Sequence, residues 1–183
     1  MRLNDLNGLD EAAATREFLR CCGSRRWAAR MAASRPFADP RTMAAAAEQA
    51  FDTLDRADWL EAFAAHPKIG GSDGSGGSGR FVGSGSGRSG GSDDWSAREQ
   101  ALVAEAADQT RQRLADANRD YQARFGYIFI VCATGKSAAE MLALLERRLQ
   151  HDPGAELRIA ADEQTKITLL RLTKLLADDQ DNN

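Results

Sequence analysis

Histidine, cysteine and proline are scarce in this chain: two, three and four residues among 183. Two histidines, His66 and His151, are too few for a histidine-rich metal centre. Cys21, Cys22 and Cys132 offer no CxxC spacing, which excludes zinc-ribbon and thioredoxin-like redox chemistry. They read as small, buried apolar residues in a reducing compartment. A basic excess is also missing. Lys plus Arg total 24 against 27 for Asp plus Glu, a formal net charge of -3, which argues against a dedicated nucleic-acid binder. The longest purely apolar run, Tyr127 to Ala133, falls far short of the roughly 20 residues needed to span a bilayer. The opening MRLNDLNGLDEAAATREF puts acids where a signal peptide carries a basic start and an apolar stretch. A soluble, cytoplasmic protein without nucleic-acid or membrane partners is therefore expected.

What is present is an ordinary globular composition, 43% hydrophobic and 28% charged. The length suits one domain that buries roughly 70% of its unfolded surface. One stretch stands apart: of the 23 residues from Gly70 to Ser92, 11 are Gly and 7 are Ser. Such a segment cannot bury enough apolar surface to offset its ordering entropy, so the spacing predicts a flexible loop over 70–94 within a single domain, 1–183. Its formal G-x-G-x-x-G at Gly74, Gly76 and Gly79 is no dinucleotide site, because no strand precedes it and no helix opens from it. Elsewhere the apolar spacing is helical. Residues 10–33 and 41–65 are read as helical stretches, the second ending near Ala65 because Pro67 disfavours helical geometry at His66. A long helix is expected from Ser96 to Gly126, and further helices over 138–149 and about 155–177. Tyr127 to Ala133 has strand-like content but no partner strand, and is read as an extended connector. Thr134-Gly135-Lys136-Ser137 resembles the end of a P-loop, but the required first glycine falls at Ile130, so that reading is rejected. The expected class is an all-α single-domain helical bundle with one short extended segment.

Three segments could carry chemistry. His66 sits at a helix end before Pro67, and histidine exchanges protons near neutral pH; the competing reading is a surface histidine that follows a helix. Ser96-x-x-Glu99 is a capping box by spacing, yet a helix N-terminus also presents free N–H groups to a ligand. Arg124 could hold a carboxylate through two parallel bonds, or serve only as a basic residue at a helix end before the Gly126 stop.

The order HPKIG at 66–70, SAREQ at 96–100 and YQARFGYIFIVCATG at 121–135 resembles the family of 2-oxo-4-hydroxy-4-carboxy-5-ureidoimidazoline (OHCU) decarboxylases. Arg26-Trp27-Ala28-Ala29, Arg35-Pro36-Phe37, and Glu163-Gln164-Thr165-Lys166-Ile167 to Leu170-Arg171-Leu172 are similar to further family segments. The resemblance covers nearly the whole chain outside the Gly/Ser stretch. It implies a decarboxylase that uses no cofactor and no metal and forms (S)-allantoin and carbon dioxide, with a homodimeric assembly. It further implies that His66 transfers the proton and that Glu99 is the catalytic carboxylate beside it. Pro67, Ser96, Gln100 and Arg124 would contact substrate, and Tyr127, Ile128, Phe129, Ile130 and Val131 would bind its amides through their backbone. One departure is the connection between His66 and Ser96, which is about a dozen residues longer than the family pattern; loop closure grows only logarithmically with length, so this is tolerable. A non-catalytic helical binding module is the rival. It has no reason to bring His66 and Glu99 together, and a separation above about 8 Å would favour it, since catalytic groups act at hydrogen-bond range.

Overall fold

The computed structural model describes residues 1–67 and 93–177, with side chains described outside 93–104. The Gly/Ser-rich stretch and its Gly74-Gly76-Gly79 pattern lie outside the described residues. Eight helices follow in order: α1 (Leu3–Gly8), α2 (Glu11–Cys21), α3 (Arg25–Ala33), α4 (Pro40–Asp52), α5 (Arg56–Ala64), α6 (Asp93–Phe125), α7 (Ala138–Arg148) and α8 (Pro153–Ala177). Among the described residues there is no strand, so the all-helical expectation holds.

Each of the two early helical stretches is in fact two helices, because the breaks carry strong caps. Between α2 and α3, Ser24 accepts a hydrogen bond from the Trp27 amide at 3.2 Å. Gly23 lets the chain turn there against the end of α5, where any Cβ would run into the Ala65 methyl. Between α4 and α5, Asp55 accepts from the Ala57 and Asp58 amides at 2.8 and 3.2 Å. Such side chains satisfy the first free N–H groups of a new helix and so favour a restart over a continuous run. The α6 boundary also differs from the reading of the sequence. The helix starts at Asp93, so Ser96 and Glu99 stand inside its first two turns and Ser96 is not the N-cap.

Two apolar clusters form the interior. One joins α1–α4 around Phe18, Trp27, Met31 and Phe51. The other joins α5–α7 and the extended segment around Phe63, Tyr121, Phe129 and Leu145. Helix α8 enters both, through Leu172 and Leu175 on one side and Leu157, Ala160 and Ala161 on the other. The N-terminal segments that carry the family resemblance are structural. Trp27 is fully buried, and its indole N–H donates to the Ala47 carbonyl at 3.2 Å. Arg35 donates to the carbonyls of Leu6 and Leu9, both at 2.7 Å, closing the free C-terminal end of α1. The Arg35–Pro36 peptide is cis.

The segment after α6 is the one irregular piece inside the second cluster. Gly126, at φ 83°, ends α6 in the left-handed conformation that glycine adopts without a Cβ penalty. The chain then runs extended to a tight turn closed by the Lys136 amide on the Ala133 carbonyl at 3.0 Å, with Gly135 at φ 77°. With no partner strand, side chains take over one edge of it. Arg148 donates to the Ile130 carbonyl at 2.8 Å, Glu163 accepts from the Cys132 amide at 2.7 Å, and Lys136 donates to the Cys132 carbonyl at 2.7 Å. In an extended chain the backbone groups of successive residues point to opposite edges. Residues 130 and 132 are thus spent on α7 and α8, while no hydrogen bond among the described residues uses the backbone of Phe129 or Val131.

Candidate active site

His66 follows the last turn of α5, with its amide bonded to the Phe63 carbonyl at 3.1 Å. Pro67 then takes the chain out of helical geometry. The ring meets α8, where Arg171 Nη2 lies 3.5 Å from His66 Nδ1, at the outer limit of hydrogen bonding. A second nitrogen of Arg171, Nη1, donates to the Cys21 carbonyl at 3.2 Å, anchoring the guanidinium on the end of α2. Burial lowers the pKa of His66 from its ordinary value, the Arg171 cation lowers it further, and Gln164 opposes them. His66 is therefore neutral at pH 7.

Around this pair lies a cavity of about 270 Å³. His66 and Pro67 form one wall, the extended residues Phe129 to Thr134 another, and Ile167, Leu170, Arg171 and Lys174 of α8 the third. Leu170, 39% exposed, is the large apolar side chain left at the surface of this lining. The lining is mostly apolar, and its charged groups among the described residues are the cations Arg171 and Lys174. Such a site draws in a small anion and strengthens its ion pairing by partial exclusion of water. No group of three His, Cys, Asp or Glu converges among the described residues in a way that could hold a metal ion.

The structure brings together part of the set read from sequence. His66, Pro67, Phe129, Ile130 and Val131 all line the cavity. Tyr127 does not; it is buried among Phe63, Tyr121 and Phe125. Ile128 packs against the same cluster, outside the lining. Arg124 is exposed, stacks over Phe125 and donates to the His151 carbonyl at 3.2 Å, as a basic residue at a helix end does. Ser96, Glu99 and Gln100 lie on the first turns of α6, in the part whose side chains are outside the description, so the His66–Glu99 separation is not measured. Arg171 was missed as a site residue. Its signal was a cation set between Leu170 and Leu172 on an otherwise apolar arc.

Behind the extended segment lies a second polar cluster. Glu156, fully buried, accepts from Arg148 Nε at 2.7 Å and from the Tyr121 hydroxyl, and its other oxygen lies 2.8 Å from His151 Nδ1. Arg148 is 4% exposed and stacks over the Phe129 ring at 4.7 Å. The cluster holds up the cavity wall from behind. Cys21 and Cys22 are free thiols whose burial pushes their pKa values up to about 11, so neither serves as a nucleophile near neutral pH.

Residues 7–173 match the family model described as OHCU decarboxylase. The chain is 38% identical over 159 residues to the uric acid degradation bifunctional protein TTL of Arabidopsis thaliana, covering 86% of this chain and 46% of that protein. It is 27% identical over 180 residues to the 2-oxo-4-hydroxy-4-carboxy-5-ureidoimidazoline decarboxylase of Haloferax volcanii, covering 95% of each. It thus spans less than half the length of the Arabidopsis relative and nearly all of the Haloferax one. Among solved structures it is similar to an OHCU decarboxylase crystallised in the presence of (S)-allantoin, with 35% identity, a TM-score of 0.67, and coverage of 88% of this chain and 98% of that one. With a match across nearly its whole length and a cavity built on the HPKIG histidine, the chain belongs to the OHCU decarboxylase family.

Proposed function

We propose that the protein decarboxylates 2-oxo-4-hydroxy-4-carboxy-5-ureidoimidazoline to (S)-allantoin and carbon dioxide, without a cofactor. The observation that carries this reading is the placement of a neutral His66 beside Arg171 in a small, largely apolar cavity. Arg171 supplies a cation for the substrate carboxylate. The unspent backbone edge at Phe129 and Val131 supplies N–H and C=O groups that match the ring and ureido amides. When carbon dioxide leaves, the electron pair passes from the ring carbon that bore the carboxylate and the hydroxyl into the adjacent C=N, whose nitrogen takes a proton from solvent, leaving an enol. The enol hydroxyl gives up its proton as the ring carbonyl forms, and the neighbouring ureido-bearing carbon gains a proton on one face. His66, neutral at rest, takes the hydroxyl proton and delivers it to that carbon, a task worth about 10²–10⁴-fold. Positioning of the carboxylate by Arg171 and exclusion of water account for further rate. Glu99 is the carboxylate assigned beside His66 by family resemblance, with Pro67, Ser96 and Gln100 as substrate contacts. The same resemblance supports a homodimer, and three free thiols fit a reducing compartment such as the cytoplasm.

The test follows optical activity. Spontaneous decay of the substrate gives racemic allantoin, so circular dichroism on freshly generated substrate reports enzymatic turnover alone. The wild-type protein should produce a growing signal of one sign. His66→Asn should abolish that signal while keeping the far-ultraviolet helical spectrum. A variant that still makes optically active product at near wild-type rate would remove His66 from the mechanism.

A further inference from the structure

Two polar atoms at this site are buried and close no hydrogen bond among the described residues: His66 Nε2 and Gln164 Oε1. An unspent buried donor or acceptor forfeits its hydration without a replacement bond, so two of them on neighbouring side chains point to each other as partners. Gln164 is fully buried on α8, on the face that also carries Thr168 and Arg171, and it acts on the His66 ring in the direction of a hydrogen-bond acceptor. One of its two amide hydrogens goes to Thr168 Oγ1 at 3.2 Å, which fixes the orientation of the amide. The oxygen is the atom left without a partner, and so the one offered to the imidazole.

Arg171 decides which ring nitrogen carries the proton. A guanidinium only donates, so the nitrogen it approaches must be the lone-pair one. That nitrogen is Nδ1, at 3.5 Å from Arg171 Nη2. The single proton of the neutral ring then sits on Nε2, and the matching acceptor is Gln164 Oε1. The opposite tautomer sets an N–H against the guanidinium N–H and leaves two acceptors, Nε2 and Oε1, facing one another. We infer that Gln164 is a positioning residue that holds His66 in the Nε2–H tautomer, with its own amide oriented by Thr168, so that the Nδ1 lone pair is presented beside Arg171.

Thr168 in turn lies within reach of the buried Cys22 thiol, so the chain of polar groups runs from the cavity into the first core. The lowered pKa of His66 agrees with this arrangement, because a second proton on Nδ1 would meet the Arg171 cation. The other charged or titratable groups that line the cavity among the described residues are Lys174 on α8 and Cys132 on the extended segment. Neither supplies an acceptor that could replace Gln164 at Nε2.

The tautomer assignment is independent of the chemistry, whereas its use in proton transfer rests on the decarboxylase reading. The test combines ¹⁵N NMR of the His66 ring, assigned with a His151→Asn background, and kinetics of three proteins. Wild type should show the Nε2–H tautomer. Gln164→Met keeps the volume and removes the acceptor; the ring should lose its tautomer preference and kcat should fall about 10- to 100-fold with KM little changed, the cost expected on losing a group that orients a functional imidazole. Gln164→Glu restores the acceptor with a charge. It should recover the Nε2–H tautomer, raise the His66 pKa and move the acid limb of kcat/KM to higher pH. A wild-type ring in the Nδ1–H form, or a Met variant with unchanged tautomer, pH profile and kcat, overturns the inference. Should the Met variant fold poorly, the shift in Gln164→Glu decides alone: no shift, no contact. Should wild type show the tautomer but no turnover, the decarboxylase reading fails and the His66–Gln164 contact stands.

Discussion

At the scale of single residues, Arg171 is the side chain with the widest consequences. It touches His66, reaches the Cys21 carbonyl and provides a cation in the cavity. Charge-assisted hydrogen bonds contribute about 1.5–3 kcal/mol, so Arg171→Met should raise KM by roughly 10- to 100-fold. It should also release part of the downward pressure on the His66 pKa. In wild type the folded ring binds its proton less tightly than the unfolded one. Stability contributed by this difference is fully present above about pH 6.5 and is lost as pH falls through that value toward the lower folded pKa. Arg171→Met should flatten this loss in a plot of Tm against pH, and should move the acid limb of kcat/KM upward. An acid limb that stays in place would show that the two side chains do not interact. In the sequence, His66 was legible because HPKIG is a local signal. Arg171 was not, since its proximity to His66 joins residues 105 positions apart.

Among the elements, the extended segment 127–136 departs furthest from a helical bundle. It persists because Arg148, Glu163 and Lys136 take the place of a neighbouring strand on one edge. Burial works against the charge of Glu163, but hydrogen bonds from Lys166 and the Cys132 amide outweigh it and hold its carboxyl below the ordinary value. Arg148 is the most exposed to failure of these supports, because its loss removes the guanidinium paired with the buried carboxylate of Glu156 and leaves it only Tyr121 and His151 among the described residues. Removing one partner of a buried pair costs about 3–5 kcal/mol. Arg148→Met should therefore lower Tm by roughly 10 °C at 2–4 °C per kcal/mol for a chain of this size. Calorimetry checks this, and a drop of only a degree or two would mean that Tyr121 and His151 suffice to hold the Glu156 carboxylate. Most element types were legible from periodicity. The breaks at Ser24 and Asp55 were not, because alanine-rich flanks keep the helical spacing going across a cap whose effect depends on one side-chain oxygen.

On the scale of the molecule, α8 is the shared wall of both cores and of the cavity. Its buried positions Leu157, Ala161, Gln164, Thr168, Leu172 and Leu175 recur every three or four residues, one face running the length of the helix. The first core then cannot melt without exposing the face that also closes the second. Unfolding should be a single cooperative event: in a Trp59→Phe, Trp95→Phe background, fluorescence of the buried Trp27 in the first core and near-ultraviolet tyrosine dichroism from Tyr121 and Tyr127 in the second should give coincident denaturant curves. Separated midpoints would show that the cores are independent units.

The sequence by itself determined the class of the fold and the family. Periodic apolar spacing, the glycine stop at Gly126 and the ordered motifs are all local or near-local signals, read without knowledge of what packs where. It also marked the extended segment, through its run of β-branched and aromatic residues. Only the tertiary structure decided which of the described motif residues line the cavity. The motif residues Trp27, Arg35 and Phe37 proved to be packing and capping groups, Tyr127 a core residue and Arg124 a helix-end cation. Arg171, an ordinary cation on a long helix, came to lie beside His66. The reason is physical: burial, tautomer and pKa are properties of an environment, and the environment of His66 is assembled from α2, α8 and the extended segment, brought together only when both cores close.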